Sequence, residues 1–191
     1  MSRPVQHGER EIRAAFDEEG IWVFQAYCNA IADAALHRGT FAEGFGRNRM
    51  TWIKPSLGWM LYRSKYATAP NQERILRIKV THSGFVAALS EGVPSAYDPS
   101  CFTSPRAWEE ALRDGRARVQ WDPDRDLLLA PIECRRTIQL GLGPGLVAEY
   151  VDRWILSIDD VTGVAHDIAN RARRSQNVRE IEHPFPEQRY S

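Results

Sequence analysis

Lys54 is the residue whose type and setting could do the most chemistry. In Thr51-Trp-Ile-Lys-Pro-Ser56 an amine follows a short apolar run and precedes Pro-Ser. At a strand end such an amine can meet a phosphate or act as a nucleophile. Lysine-adenylating ligases need K-x-(D/N)-G, whose last residues shape the ribose pocket. Lys54-Pro-Ser-Leu-Gly58 does not match it. The expectation is therefore a phosphate or carboxylate contact, with a plain surface lysine as the bland alternative.

The surroundings of Lys54 are lopsided in charge. Residues 44–80 hold Arg47, Arg49, Lys54, Arg63, Lys65, Arg74, Arg77 and Lys79 against the one acid Glu73. Trp52, Trp59, Tyr62 and Tyr66 are interleaved with them. Cations neutralise phosphate and aromatic faces stack on bases, so the mixture suits a nucleotide or a single strand. The expected phosphate and nucleotide contacts are Arg47, Arg49, Thr51, Trp52, Lys54, Ser56 and Arg63. The competing reading is a solvated charged face over an aromatic core. Residues 98–133 hold eight acids, and the chain as a whole has net charge zero. No global field argues for nucleic acid or a membrane.

Other motifs are weaker. Gly141-Leu-Gly-Pro-Gly145 links a strand to a helix, where backbone N–H groups can cradle phosphate. It lacks the spacing G-x-G-x-x-G and the Lys-Ser/Thr of a P-loop, and turn geometry alone explains it. His7, His37, His82, His166 and His183 show no metal-ligand spacing, and no metal is expected. No Ser/His/Asp set is legible. Cys28, Cys101 and Cys134 lie far apart. They make a poor disulfide framework and are expected as reduced, partly buried thiols in a cytoplasmic protein. Neither a signal peptide nor a span of bilayer length is legible.

Elements must position these residues. Aromatic and branched residues over 22–27 predict a strand, and 31–38 a short helix stopped by Gly39. Residues 50–53 predict a second strand, with a helix after Pro55 carrying Leu57, Met60 and Leu61. Alternation over 74–80 predicts a strand with Arg77 and Lys79 on one side. A short helix over 85–91 follows, then one opened by Ser104-Pro105 and running through Leu112. Strands are expected over 116–121 and 137–142, separated by turn chemistry at Asp122-Pro-Asp124. A helix over 146–154, a strand over 155–158 and a helix over 164–174 complete the set. The alternation of strand and helix is imperfect, which favours a mixed, mainly antiparallel sheet with flanking helices in one α/β (α+β) domain over 1–174. The first 20 residues are expected to include a disordered start, and 175–191 an irregular tail.

The run Met50-Thr-Trp-Ile-Lys-Pro-Ser-Leu-Gly-Trp-Met-Leu-Tyr-Arg-Ser64 resembles the bacterial and fungal domain-of-unknown-function family 4291 (DUF4291). Val23-Phe-Gln-Ala-Tyr27, Ile31-Ala-Asp-Ala-Ala-Leu36, Val119-Gln-Trp-Asp-Pro123 and Ile138-Gln-Leu-Gly-Leu142 extend the resemblance over roughly 9–170. It brings no established activity. The order of elements also looks like an ADP-ribosyltransferase-type NAD fold. That second resemblance implies site positions at Gln25, at Thr51 or Tyr62, and at Gln139, with NAD as the cofactor. Glutamine supplies neither a carboxylate to an oxocarbenium-like centre nor a general base, so binding would survive there better than catalysis. The expected catalytic set under this reading is Gln25, Tyr62, Gln139 and Lys54.

Three functions from different classes follow. One is a nucleotide- or NAD-binding protein acting as a transferase on a nucleotide or nucleic acid. Another is an RNA- or single-strand-binding module without catalysis. A protein-interaction domain with no small ligand is the third.

Overall fold

Strand β2 (Gly20–Tyr27) shows how the chain is organised, because both of its faces are covered. Ile21 and Val23 enter one core, and Phe24 between them and Tyr27 enters another. The partner β4 (Arg74–Thr81) does the same, with Leu76, Ile78 and Val80 on the first side and Ile75 on the second. The second face is only partly apolar: Phe24 and Ile75 lie under helices there, while Arg77 and Lys79 occupy the rest of it beside Trp22.

The computed structural model describes residues 10–174 and 181–191. Most of the expected disordered start and the first six residues of the tail lie outside the described residues. β2, β4 and β8 (Ile155–Asp160) form an antiparallel sheet in the order β2-β4-β8. β3 (Thr51–Ile53), β5 (Gly92–Pro94), β6 (Ala117–Arg125) and β7 (Pro131–Leu142) form a second, ordered β3-β7-β6-β5. It is antiparallel except at the β5–β6 pair. The two sheets touch where Phe24 N donates to the Lys54 carbonyl at 2.7 Å. A short pair joins β1 (Arg13–Ala14) to β9 (Gln188–Arg189). The helices are α1 (Asn29–Arg38), α2 (Leu57–Ser64), α3 (His82–Ser90), α4 (Pro105–Asp114), α5 (Pro144–Glu149) and α6 (Thr162–Arg174). The architecture is the expected mixed, mainly antiparallel α+β fold.

The main core lies between the sheets. Ile53, Ile138, Leu140 and Leu142 meet Val23, Leu76 and Ile78 there, under α1, α3 and α5. The second core packs Leu57, Met60 and Leu61 of α2 and Ala165 and Ile168 of α6 onto Phe24 and Ile75. Local signals explain the helix ends. Ser56 and Ser104 accept from backbone N–H groups three residues on, at 3.1 Å each, and Gly39 closes α1 at φ 73°.

Three local expectations change. Asp122-Pro-Asp124 is not a turn: β6 runs through it, with a register shift between Pro123 and Arg125. A bulge tolerates proline because no ladder hydrogen bond is required of its nitrogen. The chain reverses after it, where Asp126 Oδ1 accepts from Leu128 N and Ala130 N at 2.9 Å each. The helix expected over 146–154 is α5 followed by a π-helical turn, Tyr150–Trp154, that turns Tyr150 and Trp154 into the core. All three cysteines are free, but only Cys28 is half-buried; Cys101 and Cys134 are exposed. Residues 181–191 are irregular apart from β9, yet packed: Ile181 is buried and Tyr190 N donates to Ile12 O at 2.8 Å. No described helix is long and apolar enough to cross a membrane.

Candidate functional site

At the junction of the sheets the backbone opens into a cleft of about 620 Å³. That lies within the roughly 300–1,000 Å³ of small-molecule sites. Its floor is one face of β3, β7 and β6. Register places Trp52 opposite Gly141, and Gln120 opposite Gln139. Strand periodicity turns these side chains, with Lys54 and Asp122, away from the core that receives Ile53, Ile138 and Leu140. Gly141 is needed here because the Trp52 indole lies across it. An added Cβ would stand 3.0 Å from that ring and 2.8 Å from Met50 Sδ.

Lys54 lines the cleft as a buried amine. Its Nζ donates to Trp52 O at 3.1 Å and lies 5.4 Å from the centre of the Trp59 ring. Burial, reinforced by the Arg63 cation, pushes the amine down to about 7; the Asp122 carboxylate only partly opposes this. Such an amine is half unprotonated at neutral pH, a state that no arginine reaches.

Asp122 is held on the sheet by two amides. Gln120 Nε2 donates to its carboxylate oxygens at 3.0 and 3.2 Å, and Gln139 Nε2 makes a very short contact with Oδ2. Gln25 is spent differently. Its Nε2 donates to Thr51 Oγ1 at 2.9 Å and to Trp52 O at 3.0 Å, and its Oε1 accepts from Tyr150 OH at 2.8 Å. Tyr27 OH adds a contact to Thr51 at 3.3 Å, and burial raises that phenol to about 12. Gln25, expected among the reacting groups, is therefore a clamp between the sheets: both its protons are used and one lone pair remains.

Helix α2 and the loop after it form the far rim. Trp59, Met60 and Arg63 face the cleft, joined by Asn71 and Gln72. Lys65, Tyr66, Ala67 and Asn71 all have φ between 52° and 64°. A non-glycine residue enters that left-handed region at a cost, which surrounding contacts must offset. Tyr66 OH donates to Leu127 O at 2.8 Å and Ala67 N to Ser64 Oγ at 3.1 Å, fixing the loop that brings Asn71 and Gln72 in.

Several expected contacts lie elsewhere. Tyr62 points outward, with the Arg125 guanidinium 3.9 Å from its ring centre. The buried stripe of α2 is Leu57, Met60, Leu61 and Ser64, and helical spacing puts Tyr62 off it. Ser56 caps α2 and donates to Asp124 Oδ1 at 2.7 Å. Arg47 pairs with Asp152 through two bonds of 2.8 and 2.9 Å. Gln25, Arg49, Thr51, Trp52, Lys54, Arg63 and Gln139 do come together at the cleft.

The basic span is thus not one patch. Arg74 binds Asp33 and Asp160, and Lys79 binds Asp17 and Glu19. Arg77 is held between the rings of Trp22 and Phe185, 4.3 and 4.1 Å from their centres. No such ion pair forms at Arg49, Lys54 or Arg63 among the described residues, and these three face the cleft. Sequence reading missed Asp122 and Gln120 as site residues. Their signal was present: residues i and i+2 of a strand share a face, but ending the strand at Trp121 hid it.

Fold and cleft define an α+β domain with a cation-bearing cleft where two sheets meet. The chain belongs to the family described as Domain of unknown function (DUF4291), whose model matches residues 11–190. No curated protein and no solved structure matches it.

Proposed function

We propose that the cleft binds a phosphate-bearing ligand of nucleotide size, with NAD the first candidate. Arg49 and Arg63 take the phosphate, Trp52 or Trp59 stacks on the base, and the Asn71 and Gln72 amides with the Gln120 carbonyl read polar edges. The observation that carries this is the sorting of the basic span: Arg49, Lys54 and Arg63, with no acid partner among the described residues, gather beside two indoles, while Arg47, Arg74 and Lys79 are paired with acids and Arg77 lies between two rings. A guanidinium left without a carboxylate is suited to a bidentate phosphate contact, and an adjacent indole offers a stacking face. The positions implied by the NAD-fold resemblance, Gln25, Thr51 and Gln139, also stand around this cleft. With Gln25 used as a clamp, the reading favours binding over classical ADP-ribosyl transfer.

Tryptophan fluorescence titrated with NAD, AMP and ATP tests the proposal. Saturable quenching is expected, weakened in Arg63→Ala and unaltered in Arg47→Ala. Absence of quenching or heat by any of the three at millimolar concentration would sink it. Single-stranded RNA is the second reading, favoured by a neighbouring cavity of about 400 Å³ that shares Gln120 as a wall. It predicts an affinity for oligonucleotides that exceeds that for AMP and falls steeply with salt.

A further inference from the structure

The chain carries 25 basic side chains, of which 22 are arginine and three are lysine: Lys54, Lys65 and Lys79. Lys65 is exposed at the end of α2, and Lys79 is locked between Asp17 and Glu19. Lys54 is as buried as Lys79, but it faces a cavity and has no carboxylate in ion-pair contact among the described residues. Where a fixed positive charge suffices, this protein uses arginine almost throughout. At the cleft, Arg49 and Arg63 already supply two such charges.

We propose that Lys54 is the nucleophile of the cleft and forms an imine with a phosphate-bearing aldehyde or ketone. This rests on the reading of Arg49 and Arg63 as the phosphate anchor. The Nζ lone pair forms a C–N bond to the carbonyl carbon, and the C=O π pair moves to oxygen. Nitrogen gives up a proton as that oxygen gains one, leaving a neutral carbinolamine. Loss of the hydroxyl with the second N–H proton then gives the imine and one water. A desolvated lysine beside another cation is the setting in which an amine is unprotonated, and so nucleophilic, near neutral pH. Here burial and Arg63 act in that direction. The Trp59 indole borders the amine and Trp52 lines the same cleft, which favours a flat conjugated substrate.

The test uses pyridoxal phosphate with cyanoborohydride on the full chain, followed by peptide mapping. With three lysines and one α-amino group, every adduct is assignable. The expected result is an adduct at Lys54 forming about tenfold faster than at Lys65, suppressed by AMP and by omitting the phosphate (pyridoxal). Lys65→Arg leaves that rate unchanged and Lys54→Arg abolishes it. Labelling confined to Lys65, Lys79 or the α-amino group, with AMP still quenching the indoles, overturns the imine and spares the binding proposal. Absence of both labelling at Lys54 and quenching overturns both. If Lys54→Arg does not fold, the distribution of label over the wild-type lysines decides.

Discussion

Arg47 and Arg49 stand two residues apart in sequence and do different work. Arg47 is closed off by Asp152, whereas Arg49 opens on the cleft. The same division separates Arg63 and Lys54 from Arg74 and Lys79. One population of cations ties the fold together and the other is left with its charge uncompensated. A carboxylate bound bidentately occupies one edge of a guanidinium and cancels its charge, which leaves less to offer a phosphate. Reading a basic stretch as a binding surface therefore requires knowing which acids come back to it.

Several changes would break or sharpen this contrast. The largest effect is expected at Lys54. Its amine titrates near 7 when folded but near 10.4 when unfolded, so the unfolded chain holds more protons between those values. Stability should then rise with pH from about 7 to about 10.4, the buried charge being fully costly below that window. Lys54→Met should gain roughly 3–5 kcal/mol at pH 6 and flatten the profile, as read by urea unfolding. An unchanged profile would mean that the amine is not buried as a charge.

Next comes Arg63→Ala, expected to weaken AMP or NAD binding by about tenfold with the unfolding midpoint unmoved. Arg74→Ala should invert that pattern. Losing a guanidinium shared by Asp33 and Asp160 should cost on the order of 1 kcal/mol of stability and leave ligand affinity alone. Gly141→Ala sits between the groups: the new methyl must displace Trp52 or Met50, so affinity should fall more than stability. The smallest effect belongs to Arg47→Ala, whose exposed pair with Asp152 should be neutral for both. If Arg47→Ala instead lowers affinity as much as Arg63→Ala does, the contrast fails.

Much of the fold was legible beforehand because its causes are local. Alternation marked β4, Ser104 and Pro105 marked α4, and the imperfect strand-helix order marked a mixed sheet. Even the outward turn of Tyr62 follows from spacing alone, since Leu57, Met60, Leu61 and Ser64 already fill one helical face. Errors arose where a local signal was overruled by pairing. Asp122-Pro-Asp124 has turn chemistry, but the ladder to β7 carries the strand through it, and Asp122 moves from a loop to the sheet face beside Gln139.

By itself, the sequence determined the supply: a concentration of cations and aromatics around Lys54, on short elements whose ends are capped. Only tertiary structure decided which of those cations are available. Arg47, Arg74 and Lys79 find their acids 105, 86 and 60 residues away. The pairing of Gln25 with Thr51, Trp52 and Tyr150 likewise spans three elements. Charge pairing and burial depend on which segments the packed cores bring within a few ångströms. Local sequence carries no record of that, so neither the unpaired cleft nor the buried amine lining it could be read before the sheets met.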